Sequence, residues 1–590
     1  MQFIHTERAW LRGRELTRLL IPGLFIAAAP FASAQDCTTI RASVSSAGSP
    51  GTALSNVMSI SFDGRFVGFL SYASNLVPGD TNGQPDGFVR DTLLGITERI
   101  SLNDQGGQCN GGSGWVLVSD NGQFACFGTE ATNVTPDDAD TMVDFFVRDR
   151  VAATTTRITK RLPGKPATWP TEGANMSADG RFVVFHSLDG NFVPGDTNDR
   201  FDTFLWDRLT DSIERVSVGP NGEQGLGGDS GWASISDDGR FVAFQSTVQN
   251  WGLVPVVDIF QILVRDRQLQ TTTLVSVGWT GQPSSGLCSL PDISGDGSVV
   301  VFNSNNADLT PFDTILGGEH VYARDLVKQE TSILTLNKDG KKVLAGGSTF
   351  PHVSFDGRMV VFDRIANDLV AQDGNPFKDI FLHDRSTGVT TLVSKGDRDQ
   401  FASGPGANCY YGVVSGDGRS VAWNSQDNKL VTPWSGFVDQ VYLRTCDPDP
   451  AAVYCASIPN SLGCTPVVQL SGTSSASSAT GHVIGAQKLA SGSIGLLYYG
   501  TQGTLALPIA GFYQCVQPPI LRTPAQFTGG PTAPVDCTGA LNFDFNAWIA
   551  AGNDPGLVPG TVVYAQFWSR DPLAASKMHF SPATAFVVGP

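Results

Sequence analysis

Basic residues, long apolar runs and metal-binding motifs are scarce in this sequence. Lys and Arg together number 39 against 56 Asp and Glu, which gives a formal net charge of −17 at pH 7. Nucleic acids and anionic membranes bind basic surfaces, so this charge balance argues against both as partners. Beyond residue 34, no apolar run approaches the roughly 18 residues of a membrane-spanning helix, and the sequence predicts no transmembrane segment.

The usual signatures of hydrolases and metalloenzymes are also missing. The ten cysteines form no Cys-x-x-Cys pair and the histidines form no His-Glu-x-x-His motif, so no zinc site is indicated. There is no Gly-x-Ser-x-Gly motif, which marks the nucleophile of many serine hydrolases. The sequence therefore assigns no catalytic residue and no organic cofactor.

The N-terminus has the features of an export signal. Four arginines precede a short apolar run at residues 19–29, and Ala32-Ser33-Ala34 supplies the small residues that a signal peptidase accepts. We expect residues 1–34 to be removed and the mature protein to be periplasmic, on the cell surface or extracellular. Cysteines in such a compartment favour disulfides over thiolate metal sites.

Seven copies of one unit fill most of the chain. Each copy contains an Asp-Gly pair, or in one case Asn-Gly, and successive pairs are 58 to 61 residues apart. The first residues of these pairs are Asp63, Asn121, Asp179, Asp238, Asp296, Asp356 and Asp417. A nearly fixed period of this length is typical of solenoids, arrays and propellers.

The first unit contains four short runs of β-branched and aromatic residues. They lie at residues 57–61, 66–71, 87–91 and 96–102, and turn residues separate them. Four short antiparallel strands per unit, repeated seven times, predict an all-β fold, a seven-bladed β-propeller of four-stranded antiparallel blades. A β-helix is the structural alternative, but its coils are usually shorter and lack this four-strand pattern.

The two ends of the repeat region complement each other. The seventh unit lacks a fourth strand, whereas the segment after Cys37 matches the fourth strand of the first unit. The N-terminal strand is therefore expected to complete the last blade and close the ring. In this alignment Cys37 takes the position of Gly95 and Cys446 that of Thr92, which face each other across a hairpin turn. We expect a Cys37–Cys446 disulfide in place of that turn.

The repeated motifs resemble those of a known family. Ser-x-Asp-Gly-Arg-x-Val-x-Phe, then Asn-Leu-Val-Pro-Gly-Asp-Thr-Asn-Gly and Asp-x-Phe-Val-Arg-Asp, resemble the WD40-like (PD40-type) repeat of TolB-like propeller proteins over roughly residues 37–446. The resemblance implies the same β-propeller fold. It implies no particular function, because one fold carries many functions.

The composition shifts towards Ser, Gly, Thr, Ala and Pro from about residue 451. Short alternating apolar runs there favour a small β-sandwich-like domain joined by Cys455, Cys464, Cys515 and Cys537. This region resembles a C-terminal module that recurs on large secreted proteins of Planctomycetes-like bacteria. The predicted organisation is a signal peptide (1–34), a propeller (35–447) and a disulfide-bonded β-domain (448–590).

The loops between the second and third strands are rich in Asp and Asn. Carboxylate and amide oxygens in this alternation suit calcium, which takes about six to eight oxygen ligands. The candidate ligands are Asp80, Asn82, Asp86, Asp196, Asn198, Asp202, Asp373, Asn375 and Asp379, and the second unit offers Asp137, Asp138, Asp140 and Asp144. The alternative is that these residues only build hydrogen-bonded turns. Calcium is the one cofactor that the sequence suggests.

The sequence predicts function more weakly than fold. We expect a monomeric, exported, non-catalytic binding or scaffold protein whose partner is an unidentified protein or glycan. The alternative is a secreted hydrolase or lyase that acts on polysaccharide in the central funnel of the propeller. Acidic and aromatic side chains clustered at the funnel mouth would favour the enzyme, whereas a funnel without convergent titratable groups would favour binding.

Overall fold

The computed structural model describes residues 37–588 apart from several short segments. These segments are residues 139, 255–257, 312–317, 338–339, 342–346, 366–368, 371–372, 374, 399, 403–406, 428, 433–435, 437, 447–452, 455–459, 472–473, 503, 510–511, 532–534, 559–560 and 572–577. The predicted signal peptide and the predicted domain boundary at residue 447 lie outside the described residues. The regular elements that are described are strands, apart from one short α-helix and one 3₁₀ turn, so the all-β prediction is confirmed.

Seven four-stranded antiparallel sheets form the repeat region. The N-terminal strand is β1 (Cys37–Arg41). The first three sheets contain β2 (Ser55–Ile60), β3 (Phe66–Ser71), β4 (Asp86–Asp91) and β5 (Ile96–Arg99); β6 (Ser113–Val118), β7 (Phe124–Thr129), β8 (Asp144–Asp149) and β9 (Thr154–Arg157); and β10 (Thr171–Met176), β11 (Phe182–Ser187), β12 (Asp202–Asp207) and β13 (Ser212–Arg215), with the 3₁₀ turn at Gly190–Phe192.

The remaining four sheets repeat this arrangement. They contain β14 (Ser230–Ile235), β15 (Phe241–Ser246), β16 (Gln261–Asp266) and β17 (Thr271–Leu274); β18 (Cys288–Ile293), β19 (Val299–Ser304), β20 (His320–Asp325) and β21 (Glu330–Ile333); β22 (Ser348–Val353), β23 (Met359–Arg364), β24 (Asp379–Asp384) and β25 (Val389–Leu392); and β26 (Cys409–Val414), β27 (Ser420–Ser425), β28 (Gln440–Cys446) and β1. The first six sheets each comprise four consecutive strands, and only the seventh takes one from the N-terminus.

The second strand of each sheet lies between two neighbouring sheets. In the third sheet every residue of β11 is buried. Val183 packs in one cluster with Phe145 of the second sheet, whereas Val184 packs in another with Val242 of the fourth. Both faces of the strand are therefore covered, which explains why its sequence is a continuous apolar run and not an alternating one.

The Asp-Gly pairs form tight turns between the first and second strands. In the first sheet Ser61 Oγ donates to Asp63 Oδ1 at 2.9 Å, and the same oxygen accepts from Arg65 N at 3.0 Å. Gly64 has a φ of +74°, a conformation that favours glycine. The same serine-to-carboxylate or serine-to-amide bond recurs in the six other sheets. The strongest sequence repeat therefore encodes a local turn.

The seventh sheet contains strands from both ends of the repeat region. β1 pairs antiparallel with β28, and Cys37 lies opposite Cys446. The Sγ atoms of these two cysteines are bonded, with a separation of 2.06 Å. This is the pairing that the strand alignment predicts.

The first and seventh sheets are in contact. Val57 N donates to Asn424 Oδ1 at 2.8 Å, and Val67 packs in one apolar cluster with Ala422 and Leu443. Similar clusters connect each of the other neighbouring pairs of sheets. Seven four-stranded sheets in such succession are consistent with a β-propeller.

The C-terminal region forms further sheets. Its elements are β29 (Val453–Tyr454), β30 (Val467–Ser471), β31 (Val483–Leu489), β32 (Ile494–Gly500), β33 (Thr504–Ile509), β34 (Phe512–Val516), β35 (Leu521–Arg522), β36 (Gln526–Phe527), β37 (Gly539–Asp544), α1 (Phe545–Ala550), β38 (Val562–Arg570) and β39 (Met578–Val587). One sheet has the order β29-β39-β38-β32-β35 with β36 also on β32, a second has β30-β31-β37, and β33 pairs with β34. Leu497 and Val563 of the first sheet pack with Ile484 and Leu541 of the second.

The cysteines divide between disulfides and buried thiols. Cys464 and Cys537 are bonded at 2.13 Å, Cys515 is also disulfide-bonded, and Cys455 lies outside the described residues. Four cysteines of the repeat sheets are free thiols and are buried: Cys109, Cys126, Cys288 and Cys409. They fill the space of small apolar side chains within and between the sheets. No helix among the described residues has the length and apolar character needed to cross a membrane.

The C-terminal region packs on the repeat region. Phe62 and Phe355, from the first and sixth units, share an apolar cluster with Tyr498 and Phe580 of the C-terminal region. Arg419 donates to Tyr564 Oη at 3.2 Å and also lies over its ring, 5.3 Å from the centroid. The contact buries aromatic side chains of both regions.

Candidate functional site

The sheets have two distinct ends. We call the end with the Asp-Gly turns the turn end, and the opposite end, where loops connect second and third strands, the loop end. The first strand of each sheet runs from the loop end to the turn end. Together these strands line a central channel of about 120 Å³, to which all seven sheets contribute: Met58, Leu117, Met176, Ser234, Asp292, His352 and Val414 are among its lining residues.

The turn end of the channel is covered. The residues that precede the Asp-Gly (or Asn-Gly) pairs line it here: Phe62, Asp120, Ala178, Asp237, Gly295, Phe355 and Gly416. Backbone hydrogen bonds connect neighbouring sheets at this level, such as Asp120 N to Ala178 O and Asp237 N to Gly295 O, both at 2.9 Å. The rings of Phe62 and Phe355 meet edge to face with centroids 5.6 Å apart. Because both rings also pack on the C-terminal region, that region covers this end of the channel.

Two carboxyl groups at the turn end have raised pKa values. Asp120 Oδ1 accepts from Phe62 N at 3.0 Å, whereas Asp120 Oδ2 is buried without a hydrogen-bond partner. Burial and then the charge of Asp237 raise the pKa of Asp120. Burial and then the neighbouring Asp238 raise the pKa of Asp237 to about 8. At neutral pH Asp237 is therefore mostly protonated.

A third carboxylate in the channel connects three sheets. Asp292 Oδ1 accepts from Ser234 Oγ at 2.6 Å, and Asp292 Oδ2 accepts from Val353 N at 2.9 Å. His352 Nε2 lies 3.8 Å from the same Oδ2 atom. Asp292 therefore joins the fourth, fifth and sixth sheets, and both of its oxygens have partners in the fold.

The loop end is different, because bulges there hold large side chains in a strained conformation. Six first strands have a bulge residue with positive φ: Trp115 (+47°), Gly173 (+48°), Trp232 (+48°), Leu290 (+54°), Phe350 (+49°) and Tyr411 (+56°). For any residue but glycine this conformation costs about 1–2 kcal/mol. Trp232, Phe350 and Tyr411 are 46%, 36% and 41% exposed. Bulges redirect side chains and are frequent next to functional sites.

A cavity beside two of these aromatic residues lies between the sixth and seventh sheets. We call it the aromatic pocket; it has a volume of about 460 Å³ and is lined by Phe350, Asp363, Ile365, Lys378, Asn408, Tyr410 and Tyr411. The rings of Phe350 and Tyr411 are 4.9 Å apart at an angle of 71°. Lys378 Nζ lies 3.0 Å from Asp363 Oδ1. Aromatic surfaces and polar groups therefore meet in one open pocket.

An arginine of the fourth strand lies beside the carboxylates of the first predicted calcium loop. Arg99 Nη1 lies 3.2 Å from Asp86 Oδ2 and 3.7 Å from Asp80 Oδ1. Gln108 Nε2 donates to both carboxylates at 3.0 Å. Asn82 Nδ2 donates to a backbone carbonyl at 3.1 Å. The structure brings the predicted residues together, with a guanidinium beside the carboxylates where a bound cation would lie.

The third sheet repeats this arrangement. Arg215 Nη1 lies 3.2 Å from Asp196 Oδ1 and 3.5 Å from Asp202 Oδ2, and Asn198 Nδ2 donates to Asp202 Oδ2 at 2.9 Å. Burial raises the pKa of Asp202 to about 6 despite the arginine. These contacts support turn building and ion pairing in this loop.

The second sheet gathers the densest group of carboxylates. Asp138, Asp140 and Asp144 bring one oxygen each within 4.8 Å of one another. Arg157 hydrogen-bonds to Asp144 and lies 3.7 Å from the other two carboxylates. Arg161 Nη1 lies 2.5 Å from Asp144 Oδ1. Two guanidinium groups thus accompany three carboxylates.

The sixth sheet is the exception. Asn375 Nδ2 donates to Asp379 Oδ2 at 2.7 Å and Ser394 Oγ donates to Asp379 Oδ1 at 2.5 Å. The position that holds arginine in the first three sheets is Leu392 here. Asp373 is buried nearby. Of the predicted calcium loops, this one has no arginine at the equivalent position.

The arginines are the residues that the sequence prediction missed. The fourth strands hold Arg99, Arg157, Arg215, Leu274, Ile333 and Leu392 at one register position, and the third strands begin with Asp86, Asp144, Asp202, Gln261, His320 and Asp379. In the first three sheets the fourth strand has arginine where the third strand begins with aspartate. In the next two sheets the fourth strand has leucine or isoleucine where the third strand begins with glutamine or histidine. Aligning fourth strands together with the loops would have revealed this covariation within the chain.

Comparison with known proteins gives distant structural neighbours. No family model matches the chain, and no curated protein sequence matches it. Similar solved structures include a putative TolB from Agrobacterium tumefaciens (14% identity, TM-score 0.32, covering 60% of this chain and 94% of that one). A prolyl endopeptidase structure (10%, 0.36, 78% and 55%) and an acylaminoacyl peptidase from Pyrococcus horikoshii (10%, 0.38, 74% and 58%) are also similar. This chain thus spans little more than half the length of either peptidase.

Proposed function

We propose that the seven sheets form a closed seven-bladed β-propeller, and that this protein is exported, monomeric and acts by binding a protein or glycan. Closure is supported by the β1–β28 pairing, by the Cys37–Cys446 bond and by the contacts between the first and seventh sheets. A closed ring leaves no long sheet edge exposed. The loop end is then the open face of the propeller.

The distance of Asp120 and Asp237 from the exposed aromatic residues carries the binding proposal. Asp120 and Asp237 lie at the covered turn end of a channel of about 120 Å³, whereas ligand sites usually have about 300–1,000 Å³. Glycoside hydrolysis requires two carboxyl groups on either side of the scissile bond. A polymer that approaches the exposed aromatic residues at the loop end does not reach these two groups.

A secreted hydrolase or lyase that acts on polysaccharide is the second candidate. The observation in its favour is the pair of raised pKa values at Asp120 and Asp237, since catalytic acids often have raised pKa values. Under this alternative a substrate segment would have to enter the channel and reach its turn end.

An activity assay distinguishes the two candidates. The purified chain of residues 35–590 is incubated with soluble polysaccharides, and newly formed reducing ends are measured alongside Asp237→Asn. We expect no release above the buffer control for either protein. Release by the wild type that disappears in Asp237→Asn would establish the enzyme and overturn the binding proposal.

We propose further that residues 1–34 direct export and that residues 448–590, which resemble the secreted Planctomycetes module, attach the protein to the cell surface or direct its secretion. The disulfides support an oxidising compartment. Fractionation of cells that express the full chain, with and without residues 1–34, tests the export signal. Full-length protein found only in the cytoplasm would contradict it.

A further inference from the structure

We infer that the aromatic pocket binds a saccharide without net charge, and that Phe350 and Tyr411 provide its stacking surfaces. This inference rests on the proposed binding function and gives it a site and a ligand class. The pocket has about 460 Å³, which lies within the usual range of about 300–1,000 Å³ for small-molecule sites.

The backbone at Phe350 and Tyr411 favours glycine, yet both positions carry rings. Their φ angles of +49° and +56° cost about 1–2 kcal/mol each for a side chain other than glycine. In the third sheet the equivalent residue is Gly173, so the bulge itself does not require a side chain. Strain retained at exposed aromatic residues is a sign of function.

The ring arrangement suits a sugar. Phe350 and Tyr411 meet at 71° with centroids 4.9 Å apart, and Tyr410 lies 5.2 Å from Tyr411 at 79°. Nearly perpendicular rings leave one face of a neighbouring ring open to solvent, and their exposed fractions of 36% and 41% agree with that. The C–H face of a pyranose stacks on such a surface, because the aromatic face is negative and the C–H groups are slightly positive.

Polar groups border the rings. The Lys378 side chain is 25% exposed, and its Nζ atom pairs with Asp363, whose side chain is almost completely buried. Asn408 Oδ1 accepts from Lys378 N at 2.9 Å, and the Asn408 side chain is exposed. Ammonium and amide groups can exchange hydrogen bonds with sugar hydroxyls. The carboxylate and ammonium cancel in charge, which favours an uncharged ligand.

Two other ligand classes fit less well. Quaternary ammonium ligands bind aromatic cages, but the Asp363 carboxylate of this pocket already pairs with Lys378 and does not offer its charge to a second cation. A peptide that adds as a strand needs a regular sheet edge, and the register of both β22 and β26 is interrupted by bulges at this point.

Affinity electrophoresis of the chain of residues 35–590 through gels that contain laminarin, xylan or galactomannan tests the inference. We expect retardation by at least one of these polymers. Tyr411→Gly and Phe350→Gly should each weaken binding by at least about tenfold, as loss of a central aromatic contact does. Because glycine relieves the strained φ, both variants should keep the melting temperature of the wild type.

Leu290→Gly is the matched control. Leu290 has a φ of +54° at the equivalent position of the fifth sheet and does not line the aromatic pocket, so its variant should bind as the wild type does. Equal retardation of wild type and Tyr411→Gly would place binding elsewhere and overturn this site, while the binding function stands. No retardation by any of the three polymers would overturn the saccharide assignment. Reducing ends measured on the same samples report separately on whether the protein is an enzyme.

Discussion

The turn end of the sheets repeats the same contacts from unit to unit, whereas the loop end varies. At the turn end all seven units repeat one serine-centred turn, and four of them add the same arginine–aspartate pair. At the loop end the bulge residue changes from glycine to leucine, phenylalanine, tyrosine or tryptophan. The residues that connect neighbouring strands are thus repeated between units, and the bulge residues at the loop end differ between units.

The seventh sheet lacks the arginine–aspartate pair of the turn end, and its arginine makes a different contact. Arg65 pairs with Asp91 in the first sheet, but Thr445 takes the place of that aspartate in the seventh. Arg419 there hydrogen-bonds to Tyr564 of the C-terminal region. The loss of this aspartate from the repeat therefore coincides with the contact between Arg419 and the C-terminal region.

The largest expected effect is the loss of stability on removing the disulfide at the turn end. Replacing Cys37 and Cys446 together by serine removes a bond that spans 409 residues, and the chain-entropy model gives a loss of up to about 6 kcal/mol in the free energy of unfolding. Denaturant unfolding of the purified protein measures it. The Cys464→Ser and Cys537→Ser double variant, whose bond spans 73 residues, should lose less. A loss below about 1 kcal/mol for the first pair would contradict its role in closure.

The next largest effect concerns the loop end. Arg99→Leu leaves Asp86, fully buried, without its cation, and we expect a loss of about 3–5 kcal/mol. The fourth sheet shows the compensated form, in which Leu274 accompanies Gln261 and Ser276 Oγ donates to Gln261 Oε1 at 2.7 Å. Adding Asp86→Gln to Arg99→Leu should therefore recover more than half of the loss in denaturant unfolding. No recovery would mean that Asp86 and Arg99 are not coupled.

The sequence predicted local structure well and side-chain partners poorly. The strand pattern, the Asp-Gly turns and the Cys37–Cys446 alignment follow from short-range propensity and from the repeat. The arginine beside Asp86 lies 13 residues away on another strand, and no motif within the loop indicates it. The positive φ angles of Phe350 and Tyr411 are equally hidden, because neither residue favours that conformation.

A further prediction links the turn end of the channel to pH. The pKa of Asp237 is raised from 3.8 to about 8, so as pH rises between these values the unfolded chain releases this proton while the folded chain keeps it. The free energy of unfolding should therefore fall with rising pH across that window and level off above about pH 8. Thermal melts should show a smaller fall for Asp237→Asn than for the wild type. The charged groups around Asp237 that affect its pKa are carboxylates, and each of them raises it: Asp179, Asp238, Asp292 and Asp296.

The smallest expected effect is stabilisation by calcium, which should differ between the Asp-rich loops. The calcium prediction stays a prediction, and the sixth sheet is its best test because Leu392 replaces the arginine there. A site with a dissociation constant of about 0.1–1 mM gives about 0.4–1.4 kcal/mol of stabilisation in 1 mM calcium, visible as a higher melting temperature than in EDTA. Asp379→Asn should abolish this difference. Asp86→Asn, in a loop where Arg99 already pairs with the carboxylates, should leave it unchanged. Identical melting curves with calcium and with EDTA would leave turn building as the role of all these loops.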